Sequence, residues 1–78
     1  MTRKSNQINV KIGIKVRLER TKRSISQEKL AELADMNKNS IGAIERGESS
    51  PSIDTLAKIA DAFGIPLNEL TDVSKVDL

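Results

Sequence analysis

The sequence predicts a small all-α domain, and three observations lead to this prediction. With 78 residues, the chain is long enough for only one hydrophobic core. It has no cysteine and no histidine, so a disulfide frame and the usual zinc, copper and haem ligands are missing. Three segments begin with a capping residue and continue with apolar residues at helical spacing; the capping residues are Ser26, Asn37 and Ser52. We therefore expect helices that pack through aliphatic side chains, with no metal and no cofactor.

The first 20 residues are the most ambiguous part of the chain. Residues 1–9 are polar and basic without a long apolar run behind them, so they are neither a signal peptide nor a membrane span. We expect a flexible basic arm on a cytoplasmic protein that makes no membrane contact. Residues 8–20 alternate between apolar and polar side chains, which is typical of a strand. Read as a helix, the same apolar residues would lie on two opposite sides. Periodicity alone thus favours a strand.

The next segment predicts two short helices joined by a tight turn. Ser26 caps the first helix, which ends near Asp35, and Asn37 caps the second, which Gly47 ends. The apolar residues expected on their buried faces are Leu30, Leu33, Ala34, Ile41 and Ile44.

Two further helices are expected before the chain ends. Residues 47–51 form a loop by composition, after which Ser52 caps a helix that Gly64 ends. Pro66 suits the first turn of a last short helix, and residues 71–78 are expected to form a tail. The predicted apolar faces comprise Ile53, Leu56, Ile59, Ala60 and Phe63 in the longer helix and Leu67 and Leu70 in the shorter one.

The spacing within residues 26–47 is that of a helix-turn-helix. Two helices that cross at a steep angle need apolar interior positions and one small residue at the crossing point. Ala31 occupies the crossing position. The expected buried positions are filled by Leu30, Ala34, Met36, Ile41 and Ile44. All six features together are rare by chance.

On these residues, the sequence resembles the Cro/cI-type (XRE) helix-turn-helix family, over residues 12–70. The resemblance is carried by Ser26-Gln27-Glu28-Lys29-Leu30-Ala31, Ile44-Glu45-Arg46-Gly47 and Pro51-Ser52-Ile53-Asp54-Thr55-Leu56. It implies a compact, lambda-repressor-like bundle of five helices, with the domain at residues 10–70 and the helix-turn-helix at about 27–46. It also implies that the first segment is a helix, against the strand pattern.

The resemblance further implies which residues meet DNA. Residues 38–46 would be the recognition helix in the major groove. The base-reading face would comprise Lys38, Asn39, Gly42 and Ala43, and the phosphate contacts Gln27, Asn37, Ser40 and Arg46. Lys38 and Asn39 are otherwise a polar helix start, Gln27 an ordinary first-turn residue, and Arg46 a favourable charge at a helix end. Arg20 and Glu45 match a partly buried ion pair between the first helix and the recognition helix.

Several residues depart from the family pattern. Asp35 and Ser24 stand where glycine is common, and a left-handed backbone at the turn would suit glycine better than Asp35. Gly42 lies inside the recognition helix, where glycine costs about 1 kcal/mol relative to alanine. Glu19 occupies a position that is often apolar, which leaves Leu18 without an evident burial site.

Charge is distributed unevenly along the chain. Residues 1–26 contain eight Lys or Arg and one acid, Glu19, for a net charge of +7, whereas the remaining residues carry a net charge of −5. A basic end suits a phosphate backbone, although a solvated basic helix gives the same pattern. Phe63 is the one aromatic residue, so the ring platforms that bind RNA or single-stranded DNA are lacking.

The expected function is therefore sequence-specific binding of double-stranded DNA by a transcriptional regulator, a repressor or autoregulator. Without histidine, cysteine or a Gly-rich phosphate loop, an enzyme is not expected. One short recognition helix reads few bases, so we expect a homodimer on a palindromic operator, with Leu67, Leu70 and Val73 in the dimer interface. The alternative is an antitoxin-like subunit that binds a protein partner as well as DNA. The sequence does not separate repressor, activator and restriction-modification controller.

Overall fold

The computed structural model describes the backbone of residues 3–77 and the side chains of residues 7–77. Five helices follow one another along this part of the chain: α1 Arg3–Lys22, α2 Gln27–Leu33, α3 Lys38–Glu45, α4 Ile53–Phe63 and α5 Leu67–Leu70. Helix α3 packs against both α1 and α2, α4 packs against α2 and α5, and α5 returns to α1. The predicted all-α bundle of five helices is confirmed.

Helix α1 overturns the strand pattern in residues 8–20. Ile12 and Val16, one turn apart, are buried in the core, and Glu19 takes the next inward position at 3 % exposure. Leu18 therefore faces outward and is half exposed, because a helix turns neighbouring residues to different sides. The helix begins at Arg3, so helical backbone extends through the predicted arm, and the predicted domain boundary at residue 10 falls inside α1.

The predicted capping residues begin α2, α3 and α4. Ser26 Oγ accepts a hydrogen bond from Lys29 N at 2.9 Å, and Ser52 Oγ accepts one from Thr55 N at 3.1 Å. Asn37 caps α3 through its side chain in the same way. Each side chain satisfies one of the amide groups that the first turn of a helix leaves without a partner.

Left-handed turns separate the first three helices without glycine. Ser24 has φ 56° and Asp35 has φ 55°, at the two positions where glycine was expected. Aspartate tolerates the left-handed region better than most residues, whereas nothing in the structure explains serine at position 24. Gly47 and Gly64 adopt the same region after α3 and α4, with φ values of 73° and 74°.

The core is aliphatic apart from Phe63. It comprises Ile12, Val16, Leu30, Ala31, Ala34, Ile41, Ile44, Leu56, Ile59, Ala60, Phe63 and Leu70. Two predicted core residues are wrong. Leu33 is 50 % exposed because it lies beside the inward stripe of α2, which runs through Leu30, Ala31 and Ala34, and Ile53 is 65 % exposed because burial in α4 starts one turn later.

The backbone of α1 lies directly against the end of α3. A Cβ added at Gly13 would overlap the carbonyl oxygens of Ile44 and Glu45, so only glycine permits this approach. One turn earlier in α1, Val10 touches Gly47, where an added Cβ would meet Val10 Cα at 2.9 Å. The end of α3 and the residue after its C-cap therefore contact α1 at two places, Gly13 and Val10. Within residues 3–77, no helix is long and apolar enough to cross a membrane.

Candidate nucleic-acid interface

Helices α2 and α3 form the helix-turn-helix, and its packing fixes which side of α3 faces outward. Ala31 is 4 % exposed between the two helices, and Leu30 and Ile41 are fully buried. Met36 is half-buried in the turn and packs against the core. Because these apolar contacts occupy one side of α3, its first turn is left to solvent.

The exposed part of α3 is narrower than predicted. Lys38, Asn39 and Ser40 are exposed, and Ala43 is half-buried. Gly42 is buried, so its predicted place on the exposed face is wrong. The reason is that two long side chains cross over it: a Cβ added at Gly42 would lie 3.0 Å from Arg46 Nη1 and 3.6 Å from Gln27 Oε1.

The buried carboxylate of Glu45 joins three helices. Arg20 of α1 donates to both carboxylate oxygens, from Nε at 2.6 Å and from Nη2 at 3.0 Å, as the resemblance implies. Gln27 Nε2 of α2 donates to Glu45 Oε1 at 2.9 Å. Arg17 lies alongside, with its Nε 3.6 Å from the same oxygen. Gln27 therefore braces the recognition helix through Glu45.

The environment of Glu45 keeps it ionised. Burial by itself would raise the pKa of this carboxyl, but hydrogen bonds from Arg20 and Gln27 and the nearby positive charges outweigh burial and lower the pKa. The same hydrogen bond raises the pKa of Arg20. Both partners are therefore charged at physiological pH, so the ion pair that joins α1 to α3 does not titrate in that range.

The remaining predicted phosphate contacts lie around the two ends of α3. Asn37 Oδ1 accepts a hydrogen bond from Asn39 N at 2.7 Å, which leaves the amide group of Asn37 to face outward from the cap. Arg46, the C-cap residue of α3, is 54 % exposed, and its Nε donates to Glu48 Oε2 at 2.9 Å. This hydrogen bond lowers the pKa of Glu48.

A cleft of about 320 Å³ separates α3 from the start of α4. Five of its lining residues carry hydroxyl groups, namely Ser40 on α3, Ser49 and Ser50 on the loop, and Ser52 and Thr55 at the start of α4. Met36, Ala43, Ile44 and Pro51 complete the lining and make most of its surface apolar.

A second buried carboxylate, Glu19, has a function that the sequence interpretation missed. Its oxygens lie 2.8 Å from Lys15 Nζ, 2.8 Å from Arg23 Nη1 and 3.3 Å from Lys22 Nζ. Burial alone would raise the pKa of Glu19, but these hydrogen bonds lower it to about 2. All three cations lie three or four residues from Glu19, on α1 or directly after its end, which is a visible signal for a local ion-pair cluster.

Most of the basic residues at the start of the chain lie around the two buried carboxylates. Five of the eight basic residues in 1–26 surround Glu19 or Glu45, namely Lys15, Arg17, Arg20, Lys22 and Arg23. The two carboxylates neutralise two of these five charges, and Arg17 and Lys22 stay largely exposed, so a basic excess remains at this end of the domain.

The predicted dimer residues divide into two groups. Leu70 is fully buried in the core of its own chain, so its assignment to an interface is wrong. Leu67 and Val73 are half-buried and pack against the same core, which leaves part of each side chain outward.

The fold and this site define a helix-turn-helix protein with an outward recognition helix, and comparisons with known proteins agree. Residues 16–70 match the family HTH_3, described as helix-turn-helix, and the chain belongs to this family. It is accordingly a DNA-binding transcriptional regulator and not an enzyme.

Similar proteins include two controllers and a phage repressor. Control protein C.BamHI from Bacillus amyloliquefaciens is 38 % identical over 73 residues, which cover 92 % of this chain and 90 % of that protein. The crystal structure of the restriction-modification controller protein C.AhdI from Aeromonas hydrophila has a TM-score of 0.78 and 37 % identity, covering 80 % of this chain and 94 % of that one. The cryptic phage CTXphi transcriptional repressor RstR of Vibrio cholerae is 34 % identical over 64 residues, covering 82 % of this chain and 58 % of RstR.

Proposed function

We propose that this regulator binds a palindromic operator as a homodimer and reads it with the first turn of α3. The observation that carries the proposal is the outward placement of Lys38, Asn39 and Ser40 on a helix whose other end is fixed by Glu45. A major groove admits one α-helix, and contacts from its first turn reach base edges.

Lys38 and Asn39 are the base readers in this proposal. Lys38 donates to guanine O6 and N7, and Asn39 pairs with adenine N6 and N7, each worth about 1–3 kcal/mol of discrimination. Ala43 is half-buried and offers only a methyl group to thymine. Gly42 is not a reader, because Gln27 and Arg46 cover it.

The phosphate contacts frame these readers. Asn37 and Ser40 lie at the start of α3, Arg46 at its end, and Gln27 at the start of α2. Gln27 Nε2 donates one hydrogen to Glu45 and has a second for a phosphate oxygen. Such contacts set position and salt dependence without reading sequence.

Dimerisation supplies the specificity that a single short helix lacks. Two copies read half-sites about one helical turn apart. The outward parts of Leu67 and Val73 are the residues that we assign to the interface, without Leu70.

Among regulator classes, a restriction-modification controller is favoured by one observation. Similarity to C.BamHI extends over nine tenths of both chains, and similarity to C.AhdI covers 94 % of that protein. A controller that acts on its own operator is therefore our preferred assignment over an antitoxin-like subunit with a protein partner.

Selection from a library of random duplexes at two salt concentrations, combined with native mass spectrometry, tests the proposal. We expect a consensus palindrome, a steep salt slope and a dimer. Lys38→Ala relaxes the preference at one base pair of each half-site, whereas Arg46→Ala weakens binding to all sequences alike. Lys58→Ala, an exposed change on α4, is the control. Equal affinity for every duplex would overturn the proposal, and a tight protein partner co-purified from the native host would support the antitoxin-like alternative.

A further inference from the structure

The chain folds back sharply after the recognition helix, at Arg46, Gly47 and Glu48. Gly47 N donates to Ile44 O at 3.0 Å, and Glu48 N donates to Ala43 O at 3.0 Å. With Gly47 in the left-handed region at φ 73°, these two hydrogen bonds form a Schellman motif. The motif fixes the backbone of Glu48 beside the last turn of α3, so the position of its carboxylate is a product of the fold.

Glu48 and Arg46 form an exposed ion pair that contributes little to stability. Arg46 Nε donates to Glu48 Oε2 at 2.9 Å, with the side chains 54 % and 58 % exposed. Solvent screens exposed pairs of this kind, so they add little to stability. The negative end of the α3 dipole also disfavours a carboxylate at this place. Helix stability therefore does not explain a glutamate at this position.

The pair lies where the DNA backbone is expected. Lys38 stands at the other end of α3 without an ionic partner in the described part of the chain, so its charge is fully available. Arg46 is the cation at the C-terminal end of α3. Glu48 accepts a hydrogen bond from Arg46 Nε, a group that a phosphate would otherwise use. We propose that Glu48 attenuates DNA binding by competing with phosphate for Arg46. This inference rests on the proposed phosphate contact of Arg46.

The consequence is a lower affinity for every duplex. A phosphate oxygen that approaches Arg46 has to displace the carboxylate before it can accept a hydrogen bond from the guanidinium. Phosphate contacts carry no sequence information, so the effect falls equally on operator and random DNA. It weakens non-specific binding, which is almost entirely electrostatic, and keeps the protein from being retained at random sites.

The test is Glu48→Gln, which keeps the size of the side chain and removes its charge. The matched control is Glu32→Gln, because Glu32 forms an exposed ion pair with Lys29 at 3.3 Å on α2 and the change in net charge is the same. Affinities for the selected operator and for a random duplex are measured from 50 to 300 mM KCl, with circular dichroism as the check on folding. We expect Glu48→Gln to tighten binding to both duplexes by roughly threefold to tenfold at the lowest salt, and to steepen the salt slope by about 0.9, one phosphate contact.

A second pair of variants tests whether Arg46 transmits the effect. In an Arg46→Ala background, Glu48→Gln should change affinity no more than Glu32→Gln does. If it still gives the full gain, Glu48 acts on phosphate directly and the inference is wrong. The inference is also wrong if Glu48→Gln matches Glu32→Gln while the wild type still prefers its operator, an outcome that leaves the proposed function intact. If the wild type binds no duplex, the proposed function fails and this inference fails with it.

Discussion

Two buried glutamates, Glu19 and Glu45, carry the charge inside this domain, and they serve different parts of it. The side chain of Glu19 binds two cations of its own helix and Arg23 just after it, and Arg23 and Lys15 extend the cluster to Phe63 O of α4 and Glu69 O of α5. Glu45 lies on the recognition helix and is bonded to residues of α1 and α2. The first cluster joins α1 to α4 and α5, whereas the second joins α1 and α2 to α3, the helix that we propose reads DNA.

The two clusters differ in how well solvent can reach their charged groups, and this sets the stability cost of losing each one. Of the cations around Glu19, Lys22 is 65 % and Arg23 30 % exposed, so both can rehydrate when the carboxylate is lost, and only Lys15, at 15 %, is nearly enclosed. Arg20 is only 14 % exposed and Glu45 has no exposed side-chain surface, so neither partner can. We therefore expect Glu45 to be the less replaceable of the two and the only one coupled to DNA binding.

The largest effect is expected from Arg20→Ala. It leaves the buried charge of Glu45 with only Gln27 and the exposed Arg17, whose Nε is 3.6 Å away, and stranding a buried charge costs about 3–5 kcal/mol. The measurement is the free energy of unfolding in urea. Lys22→Ala is the control, since it removes one exposed cation from Glu19 and should cost less than about 1 kcal/mol. Similar losses for both variants would contradict the contrast between the two clusters.

The next largest effect is expected from acid, which should lower the free energy of unfolding by protonating Glu19. Its pKa in the folded protein is about 2 against an ordinary 4.5, so the stability from its ionised form is complete above pH 4.5 and is lost as the pH falls toward 2. That contribution amounts to about 3 kcal/mol at most. Glu45 also has a lowered pKa, so its loss adds in the same direction. Urea unfolding at pH 7, 4 and 2 should show a smaller acid loss for Glu19→Leu than for the wild type. Equal acid sensitivity would show that Glu19 is not the titrating group.

At neutral pH, Glu19→Leu should have a modest effect. Glu19→Leu removes the carboxylate together with its desolvation cost, and two of the three cations left behind, Lys22 and Arg23, are exposed enough to rehydrate. We expect a change of less than about 2 kcal/mol in the free energy of unfolding. Operator affinity should stay at the wild-type level, since no residue of this cluster is assigned to DNA. Fluorescence anisotropy of a labelled operator measures it, and a large loss of affinity in a folded variant would extend the reading surface to α1.

The smallest effect is expected at Gly42, in the neighbourhood of Glu45. Gly42→Ala should raise the free energy of unfolding by up to about 1 kcal/mol through helix propensity. The new Cβ lies 3.0 Å from Arg46 Nη1 and pushes the guanidinium aside by a few tenths of an ångström. We expect binding to every duplex to weaken roughly twofold, because the phosphate contact of Arg46 shifts. A variant that gains stability and keeps full affinity would show that the phosphate contact of Arg46 does not depend on Gly42.

Local signals in the sequence predicted much of the fold. Ser26, Asn37 and Ser52 begin helices as their capping chemistry predicts, and the turn at Asp35 has the left-handed backbone that the family pattern requires. Helix α1 is the exception, because its alternating pattern was outweighed by packing: with Glu19 as an inward polar residue, apolar Leu18 was turned to solvent. Apolar spacing cannot predict the buried face of a helix when one of its buried positions is a charged residue stabilised by ion pairs.

The site was less predictable because it depends on side chains that meet across long separations. Arg20 and Glu45 are 25 residues apart, and only the family resemblance brought them together. Burial of Gly42 follows from the side chains of Gln27 and Arg46 crossing above it, which no spacing rule contains. The assignment of Leu70 to an interface failed for a similar reason, because an apolar residue in a short last helix suits the core and a partner surface equally well.

The close approach of α1 to the end of α3 at Gly13 also bears on the kinetics of binding. Because the carbonyl groups of Ile44 and Glu45 rest directly on the backbone of α1, the recognition helix is already fixed when it reaches the groove. Little conformational entropy remains to be lost on association, so right and wrong sequences should be met at similar rates. Discrimination between them would then appear in how long each complex lasts.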